Sequence, residues 1–141
     1  MAISLKPTLT LTSTSGASGV SEDSSLALSV ADTLTVTDPM IGISRVQCTT
    51  TGGDTIILPN TTTTRYVYIK NTGLTGADAS DTAEIASGVT VKVELADNTR
   101  IVDLSADEFC FFPYNAEGSG YLQLEASADT VVVEYGYWTK V

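Results

Sequence analysis

Residues 107–138 read DEFCFFPYNAEGSGYLQLEASADTVVVEYGYW, and this stretch decides the fold. It divides into three strand patterns. Residues 109–112 form a short, dense apolar run closed by Pro113. Residues 121–126 alternate, with Leu122, Leu124 and Ala126 on one face and Tyr121, Gln123 and Glu125 on the other. Residues 130–138 alternate again. Turn formers separate the runs: Asn115 with Gly118-Ser119-Gly120, then Ser127-Ala128-Asp129. A repeat of two places alternate side chains on opposite faces of a strand, one face on a core and one in water. Turns this short cannot carry a parallel crossover, so the three strands are expected to be antiparallel.

Working outward, the same pattern recurs along most of the chain. Residues 3–12 alternate, with Thr8, Thr10 and Thr12 opposed to Leu9 and Leu11, and Pro7 marks an edge position. Residues 26–37 read as a strand interrupted near Asp32, and residues 41–49 as a strand with Ile43 and Cys48 inside. In residues 65–70, Val67 and Ile69 oppose Tyr66 and Tyr68. In residues 89–95, Val89, Val91, Val93 and Leu95 point in, and Thr90, Lys92 and Glu94 point out. The count comes to about eight to ten strands with no convincing helix, only residues 80–86 being ambiguous. Such spacing predicts an all-β, antiparallel β-sandwich, jelly-roll-like in its strand number. Residues 13–25 are rich in Ser and Gly. They divide the chain into an expected N-terminal arm, 1–25, and one sandwich domain, 26–141.

Composition narrows the function classes. The 141 residues include 17 acidic and 7 basic side chains, a net charge of −10. That balance argues against nucleic acid and anionic membranes as partners, since both need a basic face. No apolar run approaches the roughly 18–20 residues that span a bilayer. There is no histidine, which removes the commonest general base and metal ligand and excludes Ser-His-Asp and Cys-His sites. Carboxylate-only chemistry, as in glycoside hydrolysis, stays open at this point. No basic-plus-apolar signal peptide opens the chain, so an oxidising compartment is not implied. Cys48 and Cys110 are expected as free, buried thiols, and the Asn60-Thr61-Thr62 sequon as a chance match.

The acidic groups, Glu22/Asp23, Asp78/Asp81/Glu84 and Asp103/Asp107/Glu108, fall where turns and solvent are expected. None has the spacing of a calcium loop. The glycines fall at turns and form no phosphate loop. No catalytic, cofactor or metal residues are expected. The aromatic residues point elsewhere. Tyr66 and Tyr68 face away from Val67 and Ile69, and Tyr121 shares a face with Gln123 and Glu125. Trp138 shares parity with Glu134 and should lie at the surface. Outward aromatics are enriched at protein interfaces and also stack on sugars. With Leu9 and Leu11, whose strand needs a partner edge, these four residues make up the expected interface.

Three motifs carry a resemblance: Tyr-Val-Tyr-Ile-Lys-Asn-Thr-Gly at 66–73, Arg-Ile-Val-Asp-Leu-Ser-Ala-Asp-Glu-Phe-Cys-Phe-Phe-Pro at 100–113, and Val-Glu-Tyr-Gly-Tyr-Trp at 133–138. Over residues 65–138 the chain resembles small β-sandwich virion proteins of tailed bacteriophages. Where that family often has Pro-Gly before Glu-Phe, this chain has Ala106-Asp107. The resemblance implies a non-enzymatic structural protein, located in the virion. It would decorate the capsid, bind itself as a homotrimer, and bind the major capsid protein or other virion proteins. The alternative is a carbohydrate- or receptor-binding module on a tail.

Overall fold

The computed structural model describes residues 3–12, 27–37, 43–51, 55–58, 63–76, 83–115 and 120–141. The expected loop at 13–25, Glu22, Asp23, Asp78, Asp81, the sequon and the turn at Gly118 lie outside them. The described residues form fourteen strands and no helix. In chain order these are β1 (Ile3–Leu5), β2 (Thr8–Thr12), β3 (Ala27–Ala31), β4 (Leu34–Thr37), β5 (Ser44–Cys48), β6 (Thr55–Leu58) and β7 (Arg65–Asn71). They continue with β8 (Leu74–Thr75), β9 (Ala83–Glu84), β10 (Val91–Leu95), β11 (Arg100–Leu104), β12 (Phe109–Tyr114), β13 (Leu122–Ala126) and β14 (Val131–Lys140). The count exceeds the expectation because two long strands divide, at Lys6-Pro7 and at Asp32-Thr33, and because the two-residue β8 and β9 pair where no strand was expected.

Every pairing is antiparallel. One sheet runs β1-β4-β14-β7-β12, with β5 on the same edge of β14 as β4. The second runs β11-β10-β13-β6. Four of these pairs nest: β5 with β14, β6 with β13, β7 with β12, and β10 with β11. Successive nested pairs fall alternately on the two sheets.

Parity places the core. Val67 and Ile69 of β7, and Val131 and Val133 of β14, face Val91 and Val93 of β10 and Leu122, Leu124 and Ala126 of β13. Each such side chain, fully enclosed, contributes about 1.5–3 kcal/mol of transfer free energy. Cys48 is enclosed here as a free thiol, whereas the free Cys110 is only half-buried. Asn71 fastens the layers at one end. Its Nδ2 donates to the Leu104 carbonyl on the opposite sheet at 3.0 Å, and its Oδ1 accepts from Gly73 N at 2.9 Å.

Three expectations are corrected. The apolar run at 109–112 does not end at Pro113. β12 continues to Tyr114, and Pro113 is tolerated because β12 ends the sheet order and half the N–H groups of an edge strand lie off the ladder. Nor is the run enclosed as the expected burial of Cys110 implies, since Phe109 is exposed and Cys110 half-buried. Glu94 and Gln123, expected in water, are buried on the outer face of the second sheet. There they oppose each other in register, and Gln123 Nε2 donates to Asn98 Oδ1 at 2.7 Å. Ile3–Leu5 is laddered to Leu34–Val36 within the main sheet, across the expected 25/26 boundary.

The turn at Ala106-Asp107 shows why its residues suit it. Asp107 has a φ of 66°, the left-handed region that glycine enters freely and aspartate tolerates better than most residues. Asp107→Val is therefore expected to cost about 1–2 kcal/mol and Asp107→Gly to be nearly neutral, read from urea unfolding midpoints.

Candidate interaction surface

The outward residues of β7, β12 and β14 form aligned rows. Tyr66 lies between Pro113 and Trp138, Tyr68 between Phe111 and Gly136, and Lys70 between Phe109 and Glu134. Aromatic rings therefore meet on the diagonals, as cross-strand neighbours of this size can. Tyr66 and Phe111 stack with centroids 5.9 Å apart and planes 6° from parallel. Tyr68 and Phe109 meet at 6.2 Å and 37°.

Gly136 makes room for Trp138. A Cβ at that position would sit 3.1 Å from Trp138 Cη2 and 3.2 Å from Ile43 Cδ1. The indole thus lies along the strand over Gly136 and reaches Ile43, and it is half-buried by this packing. The β14–β7 register runs unbroken from Val133 to Thr139, so parity holds through the glycine. Gly136→Val should lift the indole off the sheet. The expected result is a red-shifted emission from the chain's one tryptophan and a loss of about 1–3 kcal/mol in unfolding free energy.

A ribbon overhangs this face. β2 pairs with β3 in a sheet of its own, in the register that β1 and β4 use, as Leu5↔Leu34 and Thr8↔Ala31 show. Between the ribbon and the sheet lies a cleft of about 750 Å³. Leu9 and Val30 line it from the ribbon, and Ile43, Tyr68, Phe109, Phe111 and Trp138 from the sheet. Phe109 is 58% exposed, Val30 52%, Ile43 49% and Leu9 45%. Charges border the patch: both Nε and Nη2 of Arg45 donate to Glu134 Oε1, at 3.0 and 2.7 Å, and Lys70 stands 3.8 Å from Asp107. Burial, then the nearby Glu134 carboxylate, pushes the Tyr68 phenol upward, so it stays neutral and donor-competent through physiological pH.

The structure brings Tyr66, Tyr68 and Trp138 onto one face, with Leu9 across the cleft from Tyr68 and Trp138. Leu11 lies two positions further along the ribbon, opposite Leu28. Tyr66 points outward yet is buried, because Phe111 stacks on it and its strand is central in the sheet. Tyr121 does not join the group; it precedes β13 on the other sheet. Phe109, Phe111 and Val30 were not expected at this surface, and Ile43, expected inside, is 49% exposed on it, because it precedes β5 and lies at the cleft beside Trp138. The signal for the first two was Pro113, which marks an edge strand with one open face.

Two of the acidic side chains that the sequence groups together are engaged locally. Asp103 accepts from Arg100 Nη1 at 3.0 Å, and Glu108 Oε2 accepts from Ser105 N at 2.7 Å. Among the described residues no three His, Cys, Asp or Glu side chains gather as a metal site.

Fold and surface together define a class: an antiparallel β-sandwich presenting a half-open aromatic face with charged margins. Compared with protein-family models, with curated proteins and with solved structures, the chain matches none.

Proposed function

We propose that the protein is a structural component of tailed-bacteriophage virions, a capsid decoration protein that binds and stabilises the head shell. The observation that carries this reading is the aromatic face. Exposed Phe109 beside Phe111, Tyr68 and Trp138, rimmed by Arg45–Glu134 and Lys70–Asp107, has the apolar centre and polar margin of a protein-binding surface. The resemblance of residues 65–138 to small virion sandwich proteins supplies the setting. In this account the protein acts without cofactors and binds other copies of itself and the major capsid protein or other virion proteins.

The runner-up, a glycan- or receptor-binding tail module, also uses exposed aromatics. It is less well supported, because the polar side chains at the cleft are Lys6, Thr8, Asp32 and Tyr68, few for the many hydroxyls of a sugar. Quantitative mass spectrometry of particles from a phage encoding this chain separates the two. A decoration protein is present in a copy number comparable with the capsid lattice, a tail module in a handful. Absence from washed particles overturns both.

A further inference from the structure

We propose that the β2–β3 ribbon is a hinged lid, closing onto the aromatic face of its own chain in the free protein and lifting when a neighbouring subunit takes that face. The closure stands on the ribbon and its hinge. What lifts the lid rests on reading the face as an assembly surface.

The hinge comes first. β1–β4 and β2–β3 share one register, so they are a single two-stranded ladder broken at Lys6-Pro7 and Asp32-Thr33. One backbone bond within the described residues spans the break, Asp32 N to the Pro7 carbonyl, and at 3.4 Å it is long. Pro7 has no N–H to add another, and Asp32 Oδ1 is occupied by its neighbour Thr33 N at 2.7 Å. The two strands break at one level of the ladder, so the hinge crosses the full width of the ribbon. Tilting about it sacrifices little hydrogen bonding, and a few residues at the ends of elements are enough to absorb such a motion.

The ribbon also has a side that suits the face. Leu9 and Val30 are cross-strand partners, and both line the cleft. Thr10 and Ser29, the next pair, do not. The apolar pair is thus turned toward the sheet and the polar pair away from it. Neither strand carries a charged side chain, and the acidic Glu22 and Asp23 belong to the connection between them. The charged residues that do line the cleft, Lys6 and Asp32, stand at the hinge, where closing moves them least.

Closing has a driving force. The ribbon leaves about 750 Å³ open beneath it, and Leu9 and Val30 on one wall, with Ile43 and Phe109 on the other, stay half in water. Bringing the walls together removes apolar surface from water on both sides at once. A shut lid hides a patch that would otherwise invite non-specific association. A subunit that binds the open face alone shifts the lid toward open.

The test traps the closed lid. In full-length chains carrying Cys110→Ala, Leu9→Cys is combined with Phe109→Cys, and the dilute protein is oxidised with glutathione disulfide. A disulfide needs Cβ atoms about 3.5–4.5 Å apart, a spacing reached when the walls meet. Closure predicts an internal disulfide, read as the loss of two hydrogens in the intact mass, and none with Thr10→Cys in place of Leu9→Cys. No internal link, or an equal one from position 10, overturns the lid. As a second measurement, Leu9→Asp with Val30→Asp should hold the lid open. Trp138 emission then shifts to the red and acrylamide quenches it more strongly, while the melting temperature stays in place. Unchanged emission and quenching overturn the closure as well. Binding to phage heads stripped of this protein reads the lifting. The oxidised chain should bind weakly, and reduction should restore it; equal binding in both states overturns the gating. A wild-type chain that binds no heads removes the virion role, and the disulfide still decides the lid.

Discussion

Asn71→Ala is expected to lower the unfolding free energy by about 2–4 kcal/mol, measured by urea denaturation followed through Trp138 emission. Asn71 is fully buried at the end of β7. Its amide donates to Leu104 on the facing sheet and accepts from Gly73 N. Its backbone adds bonds at 3.0 Å to the Glu108 carbonyl and from Asp107 N, and alanine would keep these. What the substitution removes is the side-chain link, leaving the carbonyl of buried Leu104 and the N–H of half-buried Gly73 without these partners. A buried group left so costs about 1–3 kcal/mol. Asn71→Asp is a sharper probe. It keeps the acceptor for Gly73 but sets a carboxylate against the Leu104 carbonyl, so it should be at least as damaging as alanine.

Raising the pH from 8 to 11 is expected to weaken the fold by roughly 3 kcal/mol through Cys48 alone. Burial first, then the Glu125 and Glu94 carboxylates, pushes this thiol up from 9.0 to about 12. An unfolded chain ionises its cysteine near pH 8.5–9 in round terms, about three units lower. The folded state therefore holds the proton where the unfolded state releases it. Stability from this group is complete below about pH 9 and is lost progressively as pH rises toward 12. Cys110, pushed up to about 11 by burial, adds to the same alkaline limb. The measurement is the difference in unfolding free energy between pH 8 and pH 11, in wild type and in Cys48→Ala. The variant should start lower, having lost packing in the core, and should fall less steeply. Equal slopes would mean that the Cys48 thiol is more accessible than its enclosure implies.

Much of the sandwich was legible because period-two alternation is a local property. Val91 and Val93 against Lys92, Leu122 and Leu124 against Glu125, and Val131 and Val133 against Glu134 each state which face is core, and the structure places them so. The same parity put Trp138 on the Glu134 side. The nested order of the strands was not legible, because β5 meets β14 across most of the chain and no local pattern encodes so distant a partner. Burial on the outer faces escaped for a related reason. Tyr66 looks outward by parity but is covered by Phe111, a residue more than forty positions away that sequence alone cannot bring near. Glu94 and Gln123 were read as solvent-facing from their polarity. Their burial depends on neighbours such as Asn98, whose position follows from a left-handed turn at φ 62°. The candidate surface was half visible: its tyrosines and tryptophan stood out, whereas Phe109 and Phe111 were hidden in a run that reads as core.

The decisive measurement is electron cryomicroscopy of particles from a phage encoding this chain. Density for the β-sandwich is expected at regular positions on the head surface, with Tyr68, Phe109, Phe111 and Trp138 covered by a neighbouring subunit. Particles that lack the protein, or that carry it with this face open to solvent and another surface in contact, would contradict it.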